Sequence, residues 1–205
     1  MDNNLTTQPQ GAKRKFRFPG ISYNSPVVLT FTAISLLALL LAKITHGASN
    51  YYVFSVYRSR ISPLFFVRLI GHTLGHSGWP HFAGNMMLFL LLGPILEDKY
   101  GSRRMALMIV VTAVVTGIFH LIFAPHTRLL GASGLVFMMI ILSSVSCVKD
   151  EKIPLTVILV LVIYLGAEIV NGISTKDNIS QLTHVIGGVC GGVFGVVYWK
   201  DKEKK

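Results

Sequence analysis

The sequence predicts an all-α, polytopic membrane protein, a bundle of six transmembrane helices. Three observations predict it. Hydrophobic residues make up 52% of the 205 residues and charged residues only 14%, well under the roughly one quarter usual for soluble domains. The apolar residues are gathered into six long runs. The Lys and Arg behind the net charge of +10 sit in the tails and in short loops between those runs. This pattern excludes a disordered chain, a collagen-like fibre and, with only Cys147 and Cys190, a disulfide scaffold. It makes the charge a topology signal rather than a nucleic-acid footprint, so no nucleic-acid partner is expected.

Residues 1–25 are polar, carry Lys13, Arg14, Lys15 and Arg17, and are expected as a flexible basic cytoplasmic tail. The membrane domain is expected over 26–199, with a second basic tail at 200–205. Each span needs about 20 mostly apolar residues. The first, 26–44, is the clearest; it is too long for a signal-peptide core and is expected to be retained. The others are 81–97, 104–124, 132–148, 153–171 and 180–199. The second and fourth are short, which suits helices ending beneath one membrane surface. The first loop, 45–80, mixes aromatics with Arg, as in segments lying in the membrane interface.

Six spans put both termini on one side. On that side fall thirteen cations, against six on the other. The positive-inside rule therefore places both termini in the cytoplasm. Spans two, four and six then run in the same direction, from outside to inside.

Polar groups at membrane depth are costly and mark candidate sites. His81, Asn85, Ser133 and His184 stand out. Counted at 1.5 Å per residue from the inner span ends, His184 and Ser133 lie at about 22 Å, His81 at about 24 Å and Asn85 at about 18 Å. Three helices thus bring them to one level. A neutral imidazole can take the proton of a serine hydroxyl, so Ser133 and His184 are the candidate nucleophile and general base. His81 and Asn85, four apart on one helix face, and the unpaired N–H groups at the start of span four are candidate oxyanion donors. Gly131 and Gly134 flank the serine, and Gly187, Gly188, Gly191, Gly192 and Gly195 line span six. Small residues at such spacing let two helix backbones approach closely.

In this order the residues resemble the rhomboid family of intramembrane serine proteases, over nearly all of 26–199. His81-Phe-Ala-Gly-Asn85 resembles its H-x-x-x-N segment, and Gly93 to Glu97 with Gly101 its G-x-x-x-E and Gly. Gly131-Ala-Ser133-Gly134 resembles its G-x-S-G, and His184 with Gly187 and Gly191 its H-x-x-G-x-x-x-G. The resemblance implies peptide-bond hydrolysis by a Ser133–His184 dyad through an acyl-enzyme, with no acidic third member and no cofactor. It implies oxyanion binding by His81, Asn85 and the Ser133 N–H, transmembrane proteins as substrates, and a bacterial plasma membrane as the setting. It places His76 beside the site and makes the fifth helix a gate. Two departures stand out. Phe137 occupies a position where many bacterial members carry a Tyr that stacks on the histidine, and the first loop offers only Tyr57-Arg58 for a Trp-Arg motif.

Other readings use the same residues. His72, His76 and His81 suggest a metal, but no H-E-x-x-H is present, and no metal is expected. Glu168 fits a proton relay or part of the gate, or it reaches the interface or hydrogen-bonds Asn171. Cys147 and Cys190 sit at different depths, so no disulfide is expected. A rhomboid-like binder without catalysis would be marked by loss of the Ser or the His, and both are present. A transporter would need half-helix repeats, which are not evident. One chain carries every candidate residue, so no oligomer is required, and lipid is expected as a partner of the basic tail.

Overall fold

The computed structural model describes residues 23–146, 155, 158, 159, 162, 163 and 178–203. The expected span at 153–171, with Glu168 and Asn171, falls mainly outside them, as do Cys147 and most of the N-terminal tail. Seven helices are described: α1 (Pro26–Ile44), α2 (Ala48–Tyr52), α3 (Pro63–Gly71), α4 (Trp79–Tyr100), α5 (Ser102–Phe123), α6 (Ser133–Val145) and α7 (Asn178–Glu203). α1, α4, α5 and the Gln181–Tyr198 stretch of α7 are long and apolar enough to cross a membrane, and α6 is a shorter apolar helix.

α1 has the bounds its apolar run predicts. α4 is longer than its run. It starts at Trp79, where Pro80 supplies helical φ without needing a partner for its missing N–H. It ends at Gly101, whose φ of +82° reverses the chain into α5 after a single residue. The first loop carries α3, begun by the Ser62 hydroxyl, which accepts from the Phe65 N–H.

The helices turn apolar residues both ways. Phe89, Met105, Met108, Leu135, Met138 and Leu142 are fully buried between helices. Leu37, Leu91, Ile122 and Val189 are each more than half exposed. Thr112, Thr116, His120 and Asn85 are buried instead. Apolar residues outside and polar residues inside is the arrangement a bilayer selects.

α1 is fixed to α4 by a carboxylate. The first N–H groups of a helix have no intrahelical partner, and α1 has no side-chain cap of its own. Glu97 of α4 fills the gap: its two oxygens accept from the Val27 and Val28 N–H groups, both at 3.0 Å. A negative charge there also opposes the helix dipole. One turn earlier, a Cβ on Gly93 would lie 2.7 Å from Val28 Cγ2, so only glycine lets α1 come this near. At the same end, the Lys99 ammonium donates to the Ser146 carbonyl just past α6, at 2.6 Å.

Glu97→Ala removes two charge-assisted bonds, that from Val28 buried and that from Val27 half-buried, and should lower stability by about 2–4 kcal/mol. The neighbouring exposed Asp98→Ala should change it by no more than about 0.5 kcal/mol. Thermal unfolding in detergent compares the two; equal shifts would show that Glu97 does not anchor α1.

Candidate functional site

The segment leading into Ser133 is held by the first loop. Val56 and Leu129 form an isolated antiparallel bridge, exchanging N–H···O bonds of 2.9 and 3.0 Å. The Gly131 N–H then donates to the His72 carbonyl at 2.9 Å. Gly131 has φ +129°, a value side-chain-bearing residues rarely adopt. A Cβ there would also lie 2.7 Å from His81 Nε2 and 3.8 Å from Asn85 Nδ2. Both residues of the α4 pair therefore face this segment.

Ser133 is the first residue of α6 and half-buried. The first bond of the helix runs from the Val136 N–H to the Ala132 carbonyl. The N–H groups of Ser133, Gly134 and Leu135 precede it and remain donors outside the helical ladder.

The histidine of α7 reaches the same helix turn. The His184 ring stacks face to face on Phe137, with centroids 4.5 Å apart and planes 4° from parallel. Phe137 lies one turn after Ser133. The Tyr-to-Phe departure thus keeps the stack and lacks only the hydroxyl. Thr183, buried just before His184, packs against Gly134. His184 also lies within electrostatic reach of His81.

α6 and α7 run parallel at backbone contact. A Cβ on Gly187 would overlap the Gly134 carbonyl, and one on Gly191 would overlap the Met138 carbonyl. Both partners advance by four residues, the spacing of one helix ridge. Cys190 beside this seam is buried and free.

Two residues that sequence reading passed over organise His81 and the loop. The Ser77 N–H lies 3.4 Å and its hydroxyl 3.1 Å from His81 Nδ1. A backbone N–H can only donate, so Nδ1 accepts and the ring proton sits on Nε2, the nitrogen facing Gly131. His76 packs edge-on against His81 at 5.1 Å. Its Nδ1 meets the Leu74 carbonyl at 3.0 Å, and its own carbonyl accepts from Asn50 at 2.9 Å. The Asn85 Nδ2 is buried with no hydrogen-bond partner among the described residues.

The second is Arg68. Arg58 is exposed, and the buried arginine of the loop is Arg68. It donates to the Tyr52 carbonyl at 2.8 Å and to the Ser59 hydroxyl at 3.1 Å, with its guanidinium 4.5 Å from the Tyr57 ring centroid. The signal was the lone charge inside the apolar run 63–71. Ser77 had none beyond its four-residue spacing from His81. Among the described residues no group of three His, Cys, Asp or Glu side chains is placed to hold a metal ion.

The family described as Rhomboid domain matches residues 64–201. The chain is 26% identical over 173 residues to the rhomboid protease GluP of Bacillus subtilis (strain 168), covering 80% of this chain and 33% of that protein. It is 27% identical over 139 residues to the rhomboid-related protein 1 of Caenorhabditis elegans, covering 63% of this chain and 39% of that protein. The chain therefore spans well under half the length of either relative.

Two outcomes follow from this packing. Gly187→Ala and Gly191→Ala force a methyl into a backbone carbonyl and should each cost about 1–3 kcal/mol. Gly192→Ala meets only Ile141 Cγ2, at 3.9 Å, and should be tolerated; thermal unfolding of the three variants checks the contrast. Burial holds the pKa values of His72 and His76 in the first loop at about 4, below the ordinary 6.5. Between those values the unfolded chain binds more protons than the folded one. Stability should therefore fall as pH drops from 6.5 towards 4, and His76→Gln should flatten that slope in denaturation measured across the range.

Proposed function

This chain belongs to the rhomboid family, and from that premise we propose that it is an intramembrane serine endopeptidase, with Ser133 as nucleophile and His184 as general base. The observation that carries the reading is the His184–Phe137 stack, which holds the imidazole at the helix turn that Ser133 begins. The apolar helices and the family make the chain an integral membrane protein.

The chemistry proceeds in two halves. His184 takes the proton from the Ser133 hydroxyl as its oxygen attacks the scissile carbonyl. The carbonyl oxygen gains the negative charge. His81 Nε2–H, the Asn85 amide and the Ser133 N–H are the donors that stabilise it. The reading of Nε2 as the protonated nitrogen, and the unpaired Asn85 Nδ2, support that role. Collapse of the intermediate breaks the C–N bond, and His184 returns its proton to the leaving amine. Water then attacks the acyl-enzyme with His184 again as base, releasing the carboxylate and regenerating Ser133. No acidic residue or cofactor enters this scheme.

The substrates are transmembrane proteins cut in or near their membrane segments. A helix hides its carbonyls in hydrogen bonds, so the segment unwinds locally and small or helix-breaking residues are favoured near the cut. Both termini lie in the cytoplasm of a bacterial plasma membrane in this reading, and a single chain suffices for activity.

A fluorophosphonate probe in detergent tests the dyad without knowledge of a substrate. Wild type should label, and Ser133→Ala and His184→Ala should not. His81→Ala and Asn85→Ala should each label slower by about 10²-fold, the usual cost of one lost oxyanion donor. Labelling that persists in folded Ser133→Ala would falsify the assignment of the nucleophile.

A further inference from the structure

Remote from the polar cluster, the first turn of α5 and the far end of α7 enclose a cavity of about 630 Å³. It is lined by Arg103, Arg104, Ala106, Leu107, Val110 and Tyr198. Arg103, Ala106, Leu107 and Val110 follow the i, i+3, i+4, i+7 spacing of a single helix face. The cavity is therefore cationic at its mouth and apolar along its wall. The Arg104 guanidinium lies over the Tyr198 ring, 4.8 Å from its centroid, within cation–π range. Arg103 is exposed and makes no hydrogen bond or ion pair among the described residues. Leu107 and Val110 are 52% and 40% exposed.

α5 begins at Ser102 and is long and apolar enough to cross a membrane, so both guanidiniums stand at the membrane boundary. Val110 lies about 10 Å deeper along the axis. A cationic head over an apolar wall of that depth matches a phosphate followed by an acyl chain. A soluble anion would leave the wall uncovered, and a zwitterionic lipid would bring a choline cation against two guanidiniums.

We propose that this groove binds an anionic phospholipid, with its phosphate between Arg103 and Arg104 and one acyl chain along Leu107 and Val110. Guanidinium is suited to the site because its planar fork binds phosphate oxygens in pairs and stacks on an aromatic ring. The proposal is independent of the catalytic residues, none of which touches the groove.

Native mass spectrometry of the full chain in neutral detergent tests it, titrating phosphatidylglycerol, phosphatidylcholine of the same chains, and soluble glycerol phosphate. One phosphatidylglycerol should bind at least about 10-fold tighter than phosphatidylcholine, the scale of one or two charge-assisted contacts, and glycerol phosphate should not compete. Arg103→Gln/Arg104→Gln should remove that preference. Arg58→Gln/Arg60→Gln, exposed in the first loop, should keep it. Equal binding of the two lipids, equal losses in the two double variants, or competition by glycerol phosphate would each overturn the site. A Leu107→Trp reporter in the otherwise unaltered chain gives a second reading. Its fluorescence should be quenched by brominated phosphatidylglycerol well before brominated phosphatidylcholine; the same quenching by both rejects the proposal.

Discussion

The backbone contact between α6 and α7 is the constraint on which the rest depends. Gly187 against the Gly134 carbonyl and Gly191 against the Met138 carbonyl leave no room for a side chain. Within a bilayer, apolar helices gain nothing by leaving lipid for one another, so close packing of small residues has to supply the attraction. Here that packing also sets the registry. With Gly187 on Gly134, a residue one turn earlier on α7 falls beside the opening turn of α6. That residue is His184. A slip of one residue would break two glycine contacts at once and carry the imidazole off Phe137.

α6 has no comparable freedom at its other face. Its leading segment is bridged to Val56 and tied to the His72 carbonyl. The first loop is stiffened in turn by Arg68 between the Tyr52 carbonyl, the Ser59 hydroxyl and the Tyr57 ring. Arg128, next to the bridge, stacks on Tyr51 at 3.6 Å. Arg68 and Arg128 each meet an aromatic face, and Arg68 a carbonyl as well, so these two charges are used as struts. α4 contributes the third wall, and Glu97 locks its far end to α1. The cluster of His81, Asn85, Ser133 and His184 is thus positioned by three independent attachments.

Much of this was legible because membrane helices write themselves in hydropathy. α1 matches its apolar run at both ends. The runs under-read α4 by two residues at its start and three at its end. Trp79, Pro80 and the charged Asp98 and Lys99 are polar or interfacial in composition, yet helical geometry costs them nothing there. α6 runs Ser133–Val145, inside its expected 132–148, of which residues 147 and 148 lie outside the described residues. The small-residue pattern pointed correctly to a seam between spans four and six, since a Cβ that cannot fit leaves only glycine. Arg68 and Ser77 were missed for an opposite reason. Their partners are a carbonyl, a hydroxyl and a ring nitrogen brought in by loop geometry, which no local periodicity encodes.

Phe137 shows that shape, beside polar bonding, contributes to the site's order. A tyrosine there would add a hydroxyl, but the ring alone lies 4° from parallel to His184. Stacked rings contribute about 0.5–1.5 kcal/mol beyond their buried area, enough to favour one imidazole orientation several-fold. Phe137 is itself immobilised, being 7% exposed within the apolar length of α6. Thr183 packs on Gly134 directly before the histidine, so the backbone that carries the ring is fixed as well. A flat wall on one side and a glycine seam beneath thus both help to hold the imidazole. That solution suits a chain surrounded by lipid, where every added hydrogen-bonding group must find a partner or bear the cost of desolvation.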